Sequence, residues 1–238
     1  MSSATETSGD AAVRGRLSRQ RVLDAAVALA DREGLDTLTM RRLAAELGVE
    51  AMSLYHHVAN KDAIFDGVVE VVTGEILDAV GQADAPEPHD DWRAAMRTRI
   101  LAARTVMLRH PWAPRVIETR TAMSPALMGY YDGVLGIMRA GGFDWDLAHQ
   151  AMHALGSRAL GFTQELFQPD DAGTSDDQTM AMVEQMAEMF PNLVGMLAEV
   201  AHDEPGQTLG WCDDQREFEF GLDLLLDGLE HRRSQRES

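Results

Sequence analysis

Cysteine is nearly missing from this chain: Cys212 is the only one in 238 residues. A single thiol excludes an intramolecular disulfide and fits a reducing, cytoplasmic setting. Lysine is equally scarce, with Lys61 alone among the 21 basic residues. Aromatics make up 6% and prolines number eight, a composition that suits helices better than a β-sandwich. No apolar run approaches the ~20 residues that a bilayer span needs, so no membrane contact is expected. Residues 1–17 lack the apolar core of a signal peptide and read as a disordered tail. Gly-rich phosphate loops, HExxH and GxSxG are all absent, so neither catalytic residues nor a cofactor are expected and the chain does not read as an enzyme.

Charge is abundant but uneven. The formal net charge is −18, yet residues 14–62 hold eight basic against seven acidic side chains. The acidity therefore sits mostly in the C-terminal three quarters. With charges screened over ~8 Å at physiological salt, an acidic body held away from a polyanion weakens binding little. Suppression of non-specific binding and simple solubility both account for it. Arg14, Arg16, Arg19 and Arg21 form a basic cluster before the first helix, readable as a groove-binding arm or as a solvated tail.

The most informative stretch runs from Thr39 to Lys61, TMRRLAAELGVEAMSLYHHVANK. Thr39 can cap a helix on which Met40, Leu43, Ala44 and Leu47 share one apolar face. Gly48 can take φ > 0 and reverse the chain. A second short helix follows from about Glu50. With Leu54 inward, Val58 and Ala51 lie beside it, Met52, Ser53 and His56 face out, and Tyr55 flanks them. Such an exposed face suits a recognition helix in a major groove. Upstream, Ser18 caps a helix to about Arg32, with Val22, Ala25 or Ala26, and Leu29 inward; Gly34 ends it.

LTMRRLAAELGV and SLYHHVANK, preceded by RVLDAAVALADREGLDTLT, resemble the DNA-binding domain of the TetR family of bacterial transcription regulators. The resemblance implies an all-α fold: a three-helix helix-turn-helix head, then a helical ligand-binding and dimerisation domain. It implies contacts to a near-palindromic operator from Thr39, Arg41, Ala51, Met52, Ser53, Tyr55, His56, His57 and Lys61. The Arg41 guanidinium suits guanine O6/N7 or a phosphate. Ser53, Tyr55 and His57 match positions that mostly grip the backbone, and Lys61 opens a helix where a phosphate is welcome. Ala51 offers only apolar contact, so the operator should differ from that of the family's tetracycline-responsive members.

The head with its connecting helix is expected over 18–80, a Pro/Ala/acidic linker over 81–90, and the regulatory body over 91–238. Helices are expected at Asp91–Arg109, in a short element through Ile117, at Ser124–Ala140, Asp146–Phe167, Met180–Val200 with a break at Pro191, and Asp213–Arg232. Small residues Ala151 and Ala154, and Phe218, Leu222, Leu225 and Leu229, are assigned by the resemblance to a four-helix homodimer seam. Eleven of the 14 methionines lie in the body, a composition suited to an apolar pocket as well as to core. Tetracycline-responsive members use a histidine on the connecting helix and a metal-holding one in the short element. These positions fall on Leu77 and near Val116, so magnesium–tetracycline is not the expected effector. A largely apolar molecule is expected instead, lined by Leu77, Trp112, Val116, Ile117, Met123 and Phe162, with a polar anchor at Tyr131 or His153. His149 and His153, i and i+4, could pair on a metal, but no second cluster supports it and no metal site is assigned. The expected function is a ligand-released homodimeric repressor; the alternative is a regulator without a small-molecule effector, acting as activator or through a protein partner.

Overall fold

The computed structural model describes residues 16–120, 123–161, 189–200 and 214–236. Every regular element among them is helical. Helix α1 spans Arg19–Glu33, capped by the Ser18 hydroxyl, which accepts from the Arg21 N–H. A single 3-10 turn at Leu35–Thr37 leads to α2, Met40–Leu47, capped by Thr39 in the same way. Gly48 ends α2 in the left-handed region at φ 66°, ψ 35°, and α3 follows over Ala51–Leu54. The Asn60 side chain caps α4, Lys61–Gln82, which runs two residues beyond the expected end. Asp91 caps α5, Trp92–Arg109; α6 is Ala113–Thr119; Ser124 caps α7, Pro125–Ala140. Helix α8 starts at Trp145 and is described to Gly161, α9 is Pro191–Val200, and α10 is Asp214–Arg236. The expected extension of α8 to Phe167, the Met-rich run over 180–188, Phe162 and Cys212 lie outside the described residues.

Two apolar cores hold these helices. The first joins Val22, Ala26 and Leu29 of α1, Leu43 of α2, Leu54 of α3 and Ile64, Val68 and Val72 of α4. It continues into Ala103 and Val106 of α5 and Trp112, Ala113 and Val116, so the 81–90 segment does not divide it. The second core packs Trp92, Met96 and Ile100 of α5 against Val134 and Met138 of α7, Ala148, Ala151 and Leu155 of α8 and Phe218, Leu222 and Leu226 of α10. Polar ties lock α10 in place. The Trp92 indole N–H donates to Glu230 at 2.8 Å, Arg97 pairs with Glu219 and Asp223, and Arg236 pairs with Asp144 and Asp146.

This second core corrects the expected dimer seam. Ala151, Phe218 and Leu222 are buried inside the protomer at 0–1% exposure, and Leu229 is buried with them. Leu225 is half-buried at the edge of that core, while Leu226 is fully buried. The apolar stripe on α10 is wide because two sides are covered differently: one faces α5 and α8, and the other leaves Phe220 and Leu224 63% and 57% exposed. Ala154 alone of the named seam residues is exposed.

Where α4 crosses α1, Gly67 lies so close to Leu23 that an added Cβ would stand 2.4 Å from Leu23 Cδ2. Gly136, exposed in mid-α7, has open space around it. Gly67→Ala is expected to destabilise the protein by about 1–3 kcal/mol through overpacking, despite the better helix propensity of alanine. Gly136→Ala is expected to stabilise by up to ~1 kcal/mol. Urea unfolding of the two variants checks the opposite signs; equal shifts would exclude the close crossing.

Candidate nucleic-acid interface and ligand cavity

The turn at Gly48 sets α3 across the end of α2 and fixes what it shows to solvent. Leu54 and Val58 are buried, Ala51, Ser53 and His57 are half-buried, and Met52, Tyr55 and His56 are exposed, Met52 at 71%. Ser53 is thus less open than its position on the wheel implied, because α3 has only one turn. Thr39 is exposed, but its hydroxyl is engaged as the cap of α2, accepting from the Arg42 N–H at 3.2 Å.

The cations of the head divide into two sets. Arg42 pairs with Glu33 at 2.8 Å, Arg32 with Glu46 at 2.9 Å and Arg19 with Glu70 at 3.2 Å. The Arg42 hydrogen bond holds the Glu33 carboxyl below the usual carboxylate range and raises Arg42 in return. Arg41 and Lys61, both exposed, have no ion-pair partner among the described residues. Lys61 stands 5.1 Å over the Phe65 ring at the start of α4. Both cations are thus free for an external anion.

Behind the head, a polar clamp joins it to the body. His110, buried between α5 and α6, places Nδ1 2.8 Å from Asp31 Oδ1 on α1 and Nε2 3.2 Å from Glu75 Oε2 on α4. Both partners are carboxylates, which accept only, so the ring satisfies both when it carries two N–H groups. The Trp112 indole N–H also donates to Asp31, at 2.7 Å, and Arg109 donates to Glu75 at 2.8 Å.

One helical turn from the clamp lies a cavity of about 50 Å³ between α4, α5, α6, α7 and α8. Its lining is Thr73, Ile76, Met96, Ile100, Met107, Ile117, Leu127, Tyr130, Tyr131, Val134, Met152, Leu155 and Gly156. Of the residues expected there, Ile117 and Tyr131 are present. Met123 borders a separate open groove on the outer side of α7, with Met128, Asp132 and Leu135. Leu77 is not in the lining, since Thr73 and Ile76 present the cavity face of α4. Trp112 and Val116 turn instead into the core shared with α1. His153 is exposed on the far side of α8 from Met152 and Leu155, its Nε2 3.2 Å from His149 Nε2. No cluster of three or more metal-ligating side chains occurs among the described residues.

The cavity face of each helix has the same apolar period as a core face, so spacing could not separate the two. Two signals were nevertheless readable: Thr73 inside an apolar run, and Gly156 on the inner face of α8. Tyr130, adjacent to the expected anchor Tyr131, is a partly buried polar side chain of the site. Burial pushes its phenol up to about 12, while the Arg99 guanidinium, 4.7 Å from the ring centroid, works against this.

Removing the clamp ring leaves Asp31 and Glu75 facing one another without a shared donor. His110→Ala is expected to lower stability by about 1–3 kcal/mol, a range discounted for the partial exposure of both carboxylates. Guanidinium unfolding followed by tryptophan fluorescence checks this, and an unchanged midpoint would exclude the clamp.

Comparison with known proteins accords with this geometry. Residues 22–68 match the family model described as bacterial regulatory proteins, tetR family, and residues 85–233 match the tetracyclin repressor-like C-terminal domain. The chain is 30% identical to an HTH-type transcriptional repressor, DrrR1, of Streptomyces coeruleorubidus, over 90% of this chain and 77% of that protein. It is 30% identical to the class D tetracycline repressor protein of Escherichia coli, over 90% of each. Among solved structures, apo ActR of Streptomyces coelicolor is similar with TM-score 0.71 at 29% identity, covering 93% of this chain and 99% of that one. ActR in complex with actinorhodin is similar with TM-score 0.68 at 29% identity, covering 92% and 99%. With both its head and its body matched, the chain belongs to the TetR family of bacterial transcriptional regulators.

Proposed function

We propose that the chain acts as a homodimeric repressor that holds an operator through α2, α3 and the start of α4, and releases it when a small, largely apolar molecule fills the cavity. The observation that carries this reading is the double allegiance of α4. Its N-terminal half supplies Ile64, Val68 and Val72 to the core of the head, and its C-terminal half supplies Thr73 and Ile76 to the cavity. A shift of this one helix therefore moves the exposed face of α3. The ligand must prefer the DNA-free state, since equal affinity for both states shifts nothing.

The cavity is small for its task, as drug-sized ligands need some 300–1,000 Å³. Met96, Met107 and Met152 in its wall are flexible side chains that can swing aside to enlarge it. Among the described residues no charged side chain lines it, which disfavours a hydrated cation and its chelate. Magnesium–tetracycline is therefore not the effector in this reading. The likeness to ActR, solved in complex with actinorhodin, supports response to a small molecule.

A second copy covers Phe220 and Leu224 of α10 and Ala154 of α8, all exposed on the protomer. Such a dimer sets two α3 faces one DNA turn apart, ~34–36 Å, to read two half-sites. Leu224→Glu is expected to yield monomers by sedimentation velocity, whereas Phe218→Ala is expected to stay dimeric and lose about 3–5 kcal/mol of protomer stability. A dimeric Leu224→Glu variant would place the interface elsewhere.

Selection of bound DNA from a random pool supplies the operator. On it, Lys61→Ala is expected to weaken all sequences alike and to reduce the slope of log K against log salt by about 0.9, one phosphate's worth. Arg41→Ala is expected to lose ~1–3 kcal/mol of discrimination at one position of each half-site. An unchanged salt slope for Lys61→Ala, or a uniform loss for Arg41→Ala, would remove that residue from its role.

A further inference from the structure

We infer that Tyr130 is the polar anchor of the cavity, its hydroxyl donating a hydrogen bond to a carbonyl-type oxygen on an otherwise apolar aromatic ligand. The inference rests on the reading of this cavity as the effector site. Among the described residues, three side chains in its lining carry a hydroxyl. The Thr73 hydroxyl has already given its proton to the Val69 carbonyl at 2.7 Å. Tyr131 also borders the open outer groove and is only half enclosed. Tyr130 is partly buried, borders this cavity and not the outer groove, and its hydroxyl has no hydrogen-bond partner among the described residues. A donor that no protein group satisfies is available to a ligand oxygen placed against it.

The phenol is also held ready. The Arg99 guanidinium covers its ring and donates to the Tyr130 carbonyl at 2.8 Å, while Tyr131 meets it edge-on at 6.0 Å between centroids. A ring so fixed loses little freedom when it binds. A phenol is protonated at neutral pH and burial only reinforces this, so the hydroxyl stays a donor. With no charge in the lining, a neutral carbonyl oxygen suits it better than a carboxylate, whose burial would go uncompensated. Tyr130 packs against both apolar cores, so a ligand that draws on it bears on the head-side core and the body core together.

The test compares 9-fluorenone with fluorene, two flat tricyclic molecules that differ by one carbonyl, on the full chain. Binding is measured by calorimetry for wild type, Tyr130→Phe and Tyr131→Phe. Wild type is expected to prefer fluorenone about tenfold, which a single well-made hydrogen bond accounts for. Tyr130→Phe is expected to bind fluorene undiminished and to reduce the preference below about twofold, while Tyr131→Phe keeps it. Equal binding of both probes by wild type, or a preference that survives in Tyr130→Phe, overturns the anchor and leaves the cavity reading standing. Failure of wild type to bind either probe overturns both. Should Tyr130→Phe not fold, the carbonyl stretch of fluorenone bound to wild type decides: a shift to lower wavenumber is expected, and an unshifted band overturns the anchor.

Discussion

The architecture depends on α4 being buried by two different sets of neighbours along one continuous helix. Its first turns pack under α1, where Gly67 permits a contact with Leu23 that no larger residue allows. Its later turns face α5, α6 and α7 around the cavity. Because close-packed interiors deform little, displacement at one end of such a helix appears as displacement at the other. The clamp around His110 adds a second connection between the same parts, through directional polar contacts in place of apolar area. Head and body are therefore joined by contacts of two kinds, set within one turn of the cavity.

Much of the fold was legible in the sequence because its boundaries are local chemistry. Ser18, Thr39, Asn60, Asp91 and Ser124 each cap the helix that follows, and Gly34 and Gly48 stop helices with positive φ. The head was readable residue by residue, since one turn residue and one apolar face leave a single way to pack. Arg41 and Lys61 stood out by type; that Arg42 is committed to Glu33 and they are not is a matter of tertiary pairing, invisible in spacing.

The body was legible as helices but not as faces. Phe218, Leu222 and Leu229 form an i, i+4, i+11 stripe that serves a protomer core and a subunit seam equally well, and only packing against α5 and α8 decides between them. The same ambiguity displaced the cavity. Leu77 and Ile76 are neighbours in an apolar run, and one residue of rotation exchanges which of them faces the hollow. Tyr130 and Tyr131 differ likewise by a single step around α7, yet both border the cavity and Tyr131 also reaches the outer groove. Resemblance to a family transfers positions more safely than it transfers orientations.

The tightness of the cavity has a kinetic corollary. At about 50 Å³ it holds a few waters, well short of the ~300–1,000 Å³ of a drug-sized site, so such a ligand enters only as the walls rearrange. Entry waits on excursions in which methionine side chains and the flanking helices part. Association then proceeds no faster than those excursions occur, and its rate levels off as the ligand becomes abundant, well below the diffusional limit. In such a regulator the promptness of derepression is set by breathing of the protein itself, and molecules of quite different affinity release the operator at similar speed while differing in how long they keep it vacant.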